Sequence, residues 1–308
     1  MSAAQTLPPQ QAAPRAPRPA ARPRLARRIK ITVGTALLIL AAVYVLTPVY
    51  WLLIAATKNS SQLFSTPTFL PPGHLSLGSN LSSLLSYGGG EYKDWFVNSL
   101  IYAIVTAALA TVVATLCGYG LAKYRFRLRR TVFGLVVGSL MVPATALVVP
   151  IFMLETYLHL NNTYQGVILP LAVYPFGVYF MAIYSLDAVP DTLLDASRID
   201  GAGELSAFWR VARPILMPGM VTLFLLSFIG TWNNFFLPLV LLGDTSKFPL
   251  TVGLSGWASD LHQAGTGQPL YPELLIGSLI SVLPMLILFP FLQKYVARGL
   301  TFGAIAGD

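Results

Sequence analysis

The chain has 308 residues, of which 55% are hydrophobic and only 10% are charged, and its mean hydropathy is +0.66. So few polar side chains cannot cover the surface of a soluble globule, and the composition therefore predicts an all-α integral membrane protein. A net charge of +8 would suggest a nucleic-acid partner in a soluble protein, but here the placement of the basic residues accounts for it. We expect no nucleic-acid partner.

The first 30 residues differ in composition from the rest of the chain. They are rich in Ala, Pro and Arg, contain no acidic residue and show no apolar periodicity, so residues 1–30 are predicted to be a disordered basic cytoplasmic tail. A cleaved signal peptide is the alternative for a basic stretch before an apolar one. The apolar run that follows, about 27 residues, is too long for that alternative, so we expect an uncleaved first helix and one membrane domain over 31–308.

Six apolar segments are long enough to cross the roughly 30 Å of hydrocarbon in a bilayer. They cover residues 31–57, 96–121, 131–153, 164–186, 215–242 and 274–293. No Lys, Arg, Asp or Glu falls inside any of them, and a charge at the centre of a span costs about 2.5 to 3.5 kcal/mol on insertion scales. The pattern predicts six transmembrane helices. Several of them are expected to be bent by prolines within or beside the apolar segments: Pro143, Pro150, Pro170, Pro175 and Pro284.

The segments between these spans carry a strong asymmetry of positive charge. All but three of the 20 Lys and Arg residues lie in the N-terminal tail, in the second-to-third and fourth-to-fifth connections, and at the C-terminus. The exceptions are Lys58, Lys93 and Lys247. Because basic residues are retained on the cytoplasmic side, both termini are predicted to be cytoplasmic.

The connection from Asp187 to Pro214 has the pattern of a hydrophilic hairpin of two short helices. Pro190 and Asp191 are typical helix-start residues, so the first helix is predicted at about 191–199. Gly201 follows, and glycine can adopt the left-handed conformation that ends a helix at little cost. The hairpin is therefore predicted to hinge at Gly201.

The second helix of the hairpin is predicted near 204–213. Its apolar residues at helical spacing are Leu205, Phe208, Trp209 and Ala212. We expect that face to lie against the membrane domain and Pro214 to break the helix before the fifth span. The first helix instead carries the small and acidic residues Asp195, Ala196 and Ser197, with Asp200 just before the turn. Such a helix can seat in a partner's groove with basic walls, and a solvated loop without a partner is the alternative.

The sequence motifs of common catalytic and cofactor sites are absent. The chain has no GxxxxGK[ST] loop for nucleotide phosphates, no HExxH or paired Cys and His set for a metal, and no GxSxG turn. His74, His159 and His262 are scattered, and the single cysteine, Cys117, lies in the second span, where packing is its expected role. We expect no catalytic residue, metal or cofactor in this chain.

The spacing of ten residues in and after the hairpin resembles the "EAA" coupling signature of bacterial binding-protein-dependent ABC importer permeases. These residues are Asp195, Ala196, Ser197, Asp200, Gly201, Ala202, Phe208, Val211, Pro214 and Pro218. Further segments resemble the maltose-type carbohydrate permease branch: Asn98-Ser99-Leu100, Tyr124-Arg125-Phe126, Trp232-Asn233 and 298–304. The chain departs from the family pattern at Asp195, where Glu is usual, at Arg213 and at Ala306. The resemblance covers residues 31–308.

The resemblance implies a type I ABC importer permease fold and a membrane subunit that translocates a sugar or oligosaccharide across a bacterial inner membrane. The implied partners are a second permease subunit in a heterodimer, two ATP-binding subunits that hydrolyse ATP, an extracytoplasmic sugar-binding protein and the membrane lipid. The coupling residues carried over are Asp195, Ala196, Ser197, Asp200, Gly201 and Ala202. Closure of the ATPases would move the hairpins and switch the pathway between two states.

The fifth span carries polar side chains that are candidates for the substrate pathway. Ser227, Thr231 and Asn234 have the spacing of one helical face, and Asn233 is adjacent. Polar groups in hydrocarbon need hydrogen-bond partners, and sugar hydroxyls are suitable ones. Trp232 could stack on a sugar ring. Hydrogen bonds between helices, and plain packing for Trp232, are the alternatives.

Two other functions fit a polytopic membrane protein: a secondary transporter of small polar solutes, and a non-transporting scaffold or receptor subunit. A secondary transporter usually carries ionisable groups for ion coupling within its spans, whereas the six predicted spans contain no Asp, Glu, Lys, Arg or His. A scaffold would need neither the hinge at Gly201 nor the acidic first helix of the hairpin.

Overall fold

The computed structural model describes residues 24–262 and 270–302. The chain divides into two compact units, Met1–Trp51 and Leu52–Asp308. The described part of the first unit belongs to a long helix, α1 (Arg24–Ala56), whose apolar side chains are exposed almost throughout. Because α1 begins at Arg24, residues 24–30 of the predicted tail are helical, and the earlier part of that tail lies outside the described residues.

The described part of the second unit is helical, with short connections. After α1 come α2 (Ser60–Ser65), α3 (Leu77–Ser86), α4 (Glu91–Lys123), α5 (Arg129–Ser139) and α6 (Val148–Tyr157). They are followed by α7 (Tyr164–Ala172), α8 (Pro175–Ala188), α9 (Asp191–Ile199) and α10 (Glu204–Ala207). The last described helices are α11 (Arg213–Trp232), α12 (Phe236–Leu241), α13 (Leu250–His262) and α14 (Tyr271–Phe302).

Within the described residues, five helical segments are long and apolar enough to cross a membrane, and one bent pair can provide a sixth span. The five segments are Ile31–Ala56, Leu77–Lys123, Tyr164–Ala188, Glu204–Trp232 and Tyr271–Phe291. Together with the bent pair they overlap the six predicted spans in order. The predicted class, an all-α polytopic membrane protein, is confirmed.

The third span is bent, as expected from Pro143 within the predicted segment 131–153. The segments Arg129–Ser139 and Ala144–Tyr157 meet at 98°. Pro143 lies at the break, and the ring of a proline disfavours helical geometry at the residue before it. The bend therefore follows from one residue whose effect a hydropathy window does not include.

The fifth span is shorter than predicted. The sequence predicts 215–242, but α11 ends at Trp232 and the separate helix α12 follows. The side-chain amide of Asn233 donates to the carbonyl of Ile229 at 2.9 Å, a local bond by which asparagine competes with helix continuation. Asn234 lies beyond the helix end, so it does not continue the helical face of Ser227 and Thr231.

Helix α4 packs against both α8 and α11 in the centre of the second unit. Small buried side chains make this close packing possible: Ala103, Ala107, Ala110 and Ala114. Gly118 continues the series, and a Cβ atom added there would lie 2.7 Å from the backbone nitrogen of Ala182. The contact between α4 and α8 therefore requires glycine at position 118.

Polar side chains near the start of α4 hold the segment before α13 on the extracytoplasmic side. The indole N–H of Trp95 donates to the carbonyl of Thr245 at 2.9 Å, and the hydroxyl of Tyr102 donates to the carbonyl of Lys247 at 3.0 Å. The hydroxyl of Ser99 accepts the backbone N–H of Leu250 at 2.8 Å. These bonds add partners to the backbone of a segment whose regular structure is limited to a short 3₁₀ turn, Thr245–Lys247.

Candidate functional site

The hairpin between α8 and α11 forms the candidate coupling site. Its first helix, α9 (Asp191–Ile199), has the predicted bounds. The chain then turns at Gly201, whose φ of 82° lies in the left-handed region. Two backbone bonds close the turn, from Gly201 N–H to the carbonyl of Arg198 and from Ala202 N–H to the carbonyl of Ser197. The left-handed conformation predicted for Gly201 is confirmed.

The second helix of the hairpin runs into the fifth span without a break, contrary to the expectation at Pro214. α10 continues through a π-helical turn, Phe208–Ala212, into α11. The N–H of Arg213 donates to the carbonyl of Phe208, five residues earlier. This wider turn precedes Pro214, which has no N–H to donate, and lets the helix pass the proline.

The predicted apolar face of this second helix is only half correct. Phe208 and Ala212 are buried, but Leu205 is 71% exposed and Trp209 is 50% exposed. The prediction assumed regular α-helical spacing, and the π-helical turn Phe208–Ala212 changes that spacing for Trp209. Leu205 lies before the turn, on the exposed side of α10. Leu205 and Trp209 therefore belong to the exposed surface of the hairpin.

The buried side of the hairpin packs against the cytoplasmic end of α4. The ring of Phe208 lies 5.0 Å from the ring of Tyr119, measured between centroids. Leu194 of α9 is 2% exposed and belongs to the same apolar cluster, together with Val189. Both hairpin helices thus contribute apolar side chains to one core with α4.

An ion pair joins α9 directly to the end of α4. The ammonium of Lys123 donates to the carboxylate of Asp191 at 2.8 Å and to the carbonyl of Val189 at 2.6 Å. The hydrogen bond and charge of Lys123 lower the pKa of Asp191 below its ordinary value. Asp191 was predicted as a helix-start residue, and the structure gives its side chain this second role.

A second connection runs from α4 to α10. The hydroxyl of Tyr124, the residue after α4, donates to the carboxylate of Glu204 at 2.9 Å. Burial, followed in size by this hydrogen bond, raises the pKa of Tyr124, so the hydroxyl stays protonated as a donor. The hairpin is therefore tied to the end of α4 through each of its two helices.

Arg198 links the two helices of the hairpin to each other. Its guanidinium donates two hydrogen bonds to Glu204, at 2.9 and 3.1 Å, and one to Asp195 at 2.9 Å. These contacts raise the pKa of Arg198 above its ordinary value. Asp195, the first residue of the predicted coupling set, is thus already ion-paired within the hairpin. Asp200 is exposed and forms no ion pair with the side chains that the structure describes.

The remaining coupling candidates lie on one outer surface of the hairpin. Ala196 is exposed, Ser197 is half-buried and bonds the carbonyl of Leu194, and Ala202 is half-buried beside the turn. Next to them Ile199 is 86% exposed, which is unusual for a large apolar residue on a charged hairpin. The exposed surface thus combines small, apolar and acidic side chains.

The substrate-pathway candidates do not share one environment. Ser227 is buried in α11, Thr231 is half-buried, and Asn233 is exposed. Trp232 is buried, stacks on Phe228 at 5.9 Å between centroids, and donates its indole N–H to a backbone carbonyl. The packing alternative therefore describes Trp232 better than sugar stacking does. Asn234, beyond the helix, accepts a bond from the hydroxyl of Thr251 through its backbone carbonyl.

Sequence reasoning missed the side chains that fix the hairpin. The sequence shows only that charged residues lie outside the predicted spans at Lys123, Arg198 and Glu204. It does not show which side chains they pair with, because those pairs form between separate helices. Tyr124 belongs to a motif noted for its resemblance, which was the one available signal. Asn98 is similar: its motif was noted, and its side-chain amide holds two backbone carbonyls of the segment before α13.

The spans form a helical membrane domain, and a packed hairpin joins two of them. The chain belongs to the family of binding-protein-dependent transport system inner membrane components, whose sequence profile matches residues 110–302. It is accordingly a multi-pass subunit of an ABC importer in the inner membrane.

Comparisons with individual proteins agree with this family. The chain is 37% identical over 262 residues to the arabinooligosaccharides transport system permease protein AraQ of Bacillus subtilis, covering 85% of this chain and 91% of the relative. It is 30% identical over 274 residues to the diacetylchitobiose uptake system permease protein NgcG of Streptomyces coelicolor, with coverages of 88% and 87%. The fold is similar to a crystal structure of a bacterial ABC transporter involved in the import of alginate. That match has a TM-score of 0.79 at 24% identity and covers 90% of this chain and 99% of the other.

Proposed function

We propose that this chain is a permease subunit of an ATP-driven importer of neutral oligosaccharides, and that its hairpin receives the movement of a separate ATPase subunit. A second permease subunit and an extracytoplasmic binding protein complete the proposed assembly. The relatives named for arabinooligosaccharides and diacetylchitobiose support the substrate class.

The observation that carries the coupling role is the attachment of the hairpin to two spans at once. Lys123 and Asp191 join α9 to α4, while α10 is continuous with α11. The bond between Arg198 and Glu204 holds the two hairpin helices together. A partner that displaces the hairpin therefore displaces the cytoplasmic ends of α4 and α11 together.

The outer surface of the hairpin supports docking to a protein partner. Ile199 and Leu205 expose apolar area that a groove can bury, and the small side chain of Ala196 permits close approach. Asp195 is engaged by Arg198, so we assign to Asp200 the ionic contact with a basic residue of the ATPase. A solvated loop would not need a large exposed apolar residue such as Ile199.

The proposal of a neutral substrate is supported by the lack of basic residues in the predicted spans. The six predicted spans contain no Lys or Arg, so they provide no fixed cation to compensate an acidic saccharide within the membrane. Ser227, Thr231, Asn233 and Asn234 remain the proposed polar contacts for sugar hydroxyls. They are neutral hydrogen-bonding groups, which suit a neutral polyol.

A matched pair of variants tests the coupling role. Gly201 has a φ of 82°, whereas Gly203 has a φ of −68°, and an added Cβ has free space at both positions. A β-branched residue is strained only at the first. We expect Gly201→Val to reduce ATP hydrolysis stimulated by the loaded binding protein at least about tenfold, while Gly203→Val stays near wild type.

The measurement uses the complex that co-purifies with this chain from native membranes, after its subunits are identified by mass spectrometry. Membrane insertion and the amount of assembled complex are compared first, so that lost assembly is distinguished from lost coupling. Equal stimulation in the two variants, at equal assembly, would contradict a role of the hinge in coupling.

The substrate class is tested by uptake into cells that express the transport system. We expect labelled arabinooligosaccharides or diacetylchitobiose to be imported and alginate oligosaccharides to be rejected. Import of alginate oligosaccharides would show that the proposal of a neutral substrate is wrong. It would not bear on the coupling role, which the Gly201→Val variant tests separately.

A further inference from the structure

An apolar groove lies on the second unit near the cytoplasmic ends of α4 and α5. It has a volume of about 470 Å³, within the range of ligand sites, and is lined by residues of α4, α5 and α8. Its lining includes Leu116 and Gly120 of α4, Val132 and Val136 of α5, and Phe126 from the connection between these helices. Nearly all of this lining is hydrocarbon or aromatic, so the groove suits an apolar occupant.

The position of the groove along the helices places it in the cytoplasmic leaflet. Leu116 lies seven residues before the end of α4 at Lys123, which is about 10 Å along a helix. Val132 and Val136 lie about 5 and 10 Å from the start of α5 at Arg129. Half of the hydrocarbon core is about 15 Å thick, so the groove is at the depth of acyl chains.

Three arginines lie close in the chain to Tyr124, Phe126 and Val132, which line this groove. Arg125, Arg127 and Arg130 are exposed and form no ion pair with the side chains that the structure describes. The neighbouring acid Asp191 forms its ion pair with Lys123, and its pKa is lowered mainly by Lys123 and to a smaller extent by the charge of Arg125. Unpaired guanidinium groups near an apolar groove are complementary to a molecule with an anionic head and a hydrocarbon chain.

Arg129 has a different role and fixes the geometry of the site. Its guanidinium donates to the carbonyls of Leu121 and Ala122, at 2.6 and 3.2 Å, in the last turn of α4. This contact holds the start of α5 against the end of α4. The walls of the groove and the three exposed arginines are therefore kept in a fixed relation.

We propose that the groove between α4 and α5 binds one anionic phospholipid of the cytoplasmic leaflet. Its phosphate lies among Arg125, Arg127 and Arg130, and one acyl chain lies along Leu116 and Gly120. Guanidinium groups pair with phosphate through charge-assisted hydrogen bonds. A zwitterionic head group also carries a phosphate, but its positive charge lowers the net attraction to the arginines.

The test uses the full chain in its co-purified complex, reconstituted in nanodiscs. The probes are phosphatidylglycerol and phosphatidylcholine that carry the same photoreactive group on the acyl chain. Cross-linked peptides from residues 116–136 are quantified by mass spectrometry. Each basic side chain near the surface contributes about fivefold in anionic-lipid binding, so we expect phosphatidylglycerol to be favoured at least about tenfold.

Two pairs of variants separate the groove from the arginines. Gly120→Leu fills the groove, since an added Cβ has free space there, and is matched by Gly134→Leu, which also has free space but does not line the groove. Replacing Arg125, Arg127 and Arg130 by Gln is matched by the same change at Arg15, Arg18 and Arg22 of the tail.

We expect Gly120→Leu to abolish cross-linking by both probes and the Arg125/Arg127/Arg130 variant to remove only the preference for phosphatidylglycerol. Both matched controls should behave as wild type. Equal yields of the two probes in the wild-type complex would overturn the proposal. So would the absence of lipid cross-links together with cross-links from the groove to a co-purified subunit, because the groove would then be covered by protein.

Discussion

Replacement of Asn98 by leucine tests how α4 holds the extracytoplasmic segment before α13. The amide nitrogen of Asn98 donates to the carbonyls of Ser246 and Phe248, at 2.8 and 3.1 Å, and its carbonyl accepts the hydroxyl of Tyr164 at 2.7 Å. Asn98 is 3% exposed, so water has little access to the groups that it satisfies. Leucine has a similar size and none of these bonds.

The expected loss of stability follows from those three bonds. A typical hydrogen bond contributes about 1 kcal/mol net, and a partner left unsatisfied in a buried place costs about 1–3 kcal/mol. The backbone carbonyls are only part-buried and recover some hydration, so we expect Asn98→Leu to destabilise the protein by about 3 kcal/mol. At about 2 °C per kcal/mol for a chain of this size, the melting temperature falls by about 6 °C.

Thermal unfolding in detergent, followed by tryptophan fluorescence, measures this shift. Asn233→Leu is the matched control, because Asn233 is exposed and makes only one local bond, and we expect it to change stability by less than about 0.5 kcal/mol. Tyr164→Phe should lower the free energy of unfolding by about 1 kcal/mol in the wild-type protein. It should lower it by less in the Asn98→Leu variant, because the bond between the two residues is already lost there. A shift below about 2 °C for Asn98→Leu would refute the proposed anchoring.

Three further predictions concern packing, charge and the role of an aromatic ring. Gly118→Leu places side-chain atoms against Met181 and should cost about 1–3 kcal/mol or more, seen as lower yield and melting temperature than for Gly134→Leu. Hydrogen bonds from the side chain of Lys247 and from the side chain and backbone of Ser246, with a smaller effect of the charge of Lys247, lower the pKa of Asp244 to about 2. The contact between Asp244 and Lys247 is therefore fully present above the ordinary pKa of an Asp carboxyl and is lost only as the pH falls through about 2. Lys247→Gln should raise the pKa of Asp244, measured in a carboxyl NMR titration. Trp232→Phe should leave the apparent affinity for oligosaccharide uptake unchanged, because the ring packs within the protein, and a weaker affinity would instead favour sugar stacking.

The parts of the fold that the sequence predicted well depend on local signals. The bounds of α9 and the conformation of Gly201 follow from helix-start residues and from glycine, whose effects act within a few positions. The number and order of the spans follow from hydropathy, because every long apolar segment must leave water. Neither inference requires knowledge of which helices touch.

The parts that the sequence did not predict depend on contacts or on small local irregularities within apolar runs. The end of α11 at Trp232 interrupts a long segment of high hydropathy, so a hydropathy window passes over it. The π-helical turn at Phe208–Ala212 changes which residues face inward. The pairing of Lys123 with Asp191 joins residues far apart in the chain, and no local pattern indicates it.

The two sets of contacts on α4 together suggest how the proposed coupling reaches the other side of the membrane. At its start α4 holds the segment before α13 through Trp95, Asn98 and Tyr102, and at its end it holds the hairpin through Lys123. The helix has 33 residues and is therefore about 50 Å long, enough to cross the bilayer. A continuous helix transmits a displacement of its end with little loss, whereas a span bent by 98° can absorb it. Movement of the hairpin should thus be passed to the extracytoplasmic segment by α4 and not by the third span.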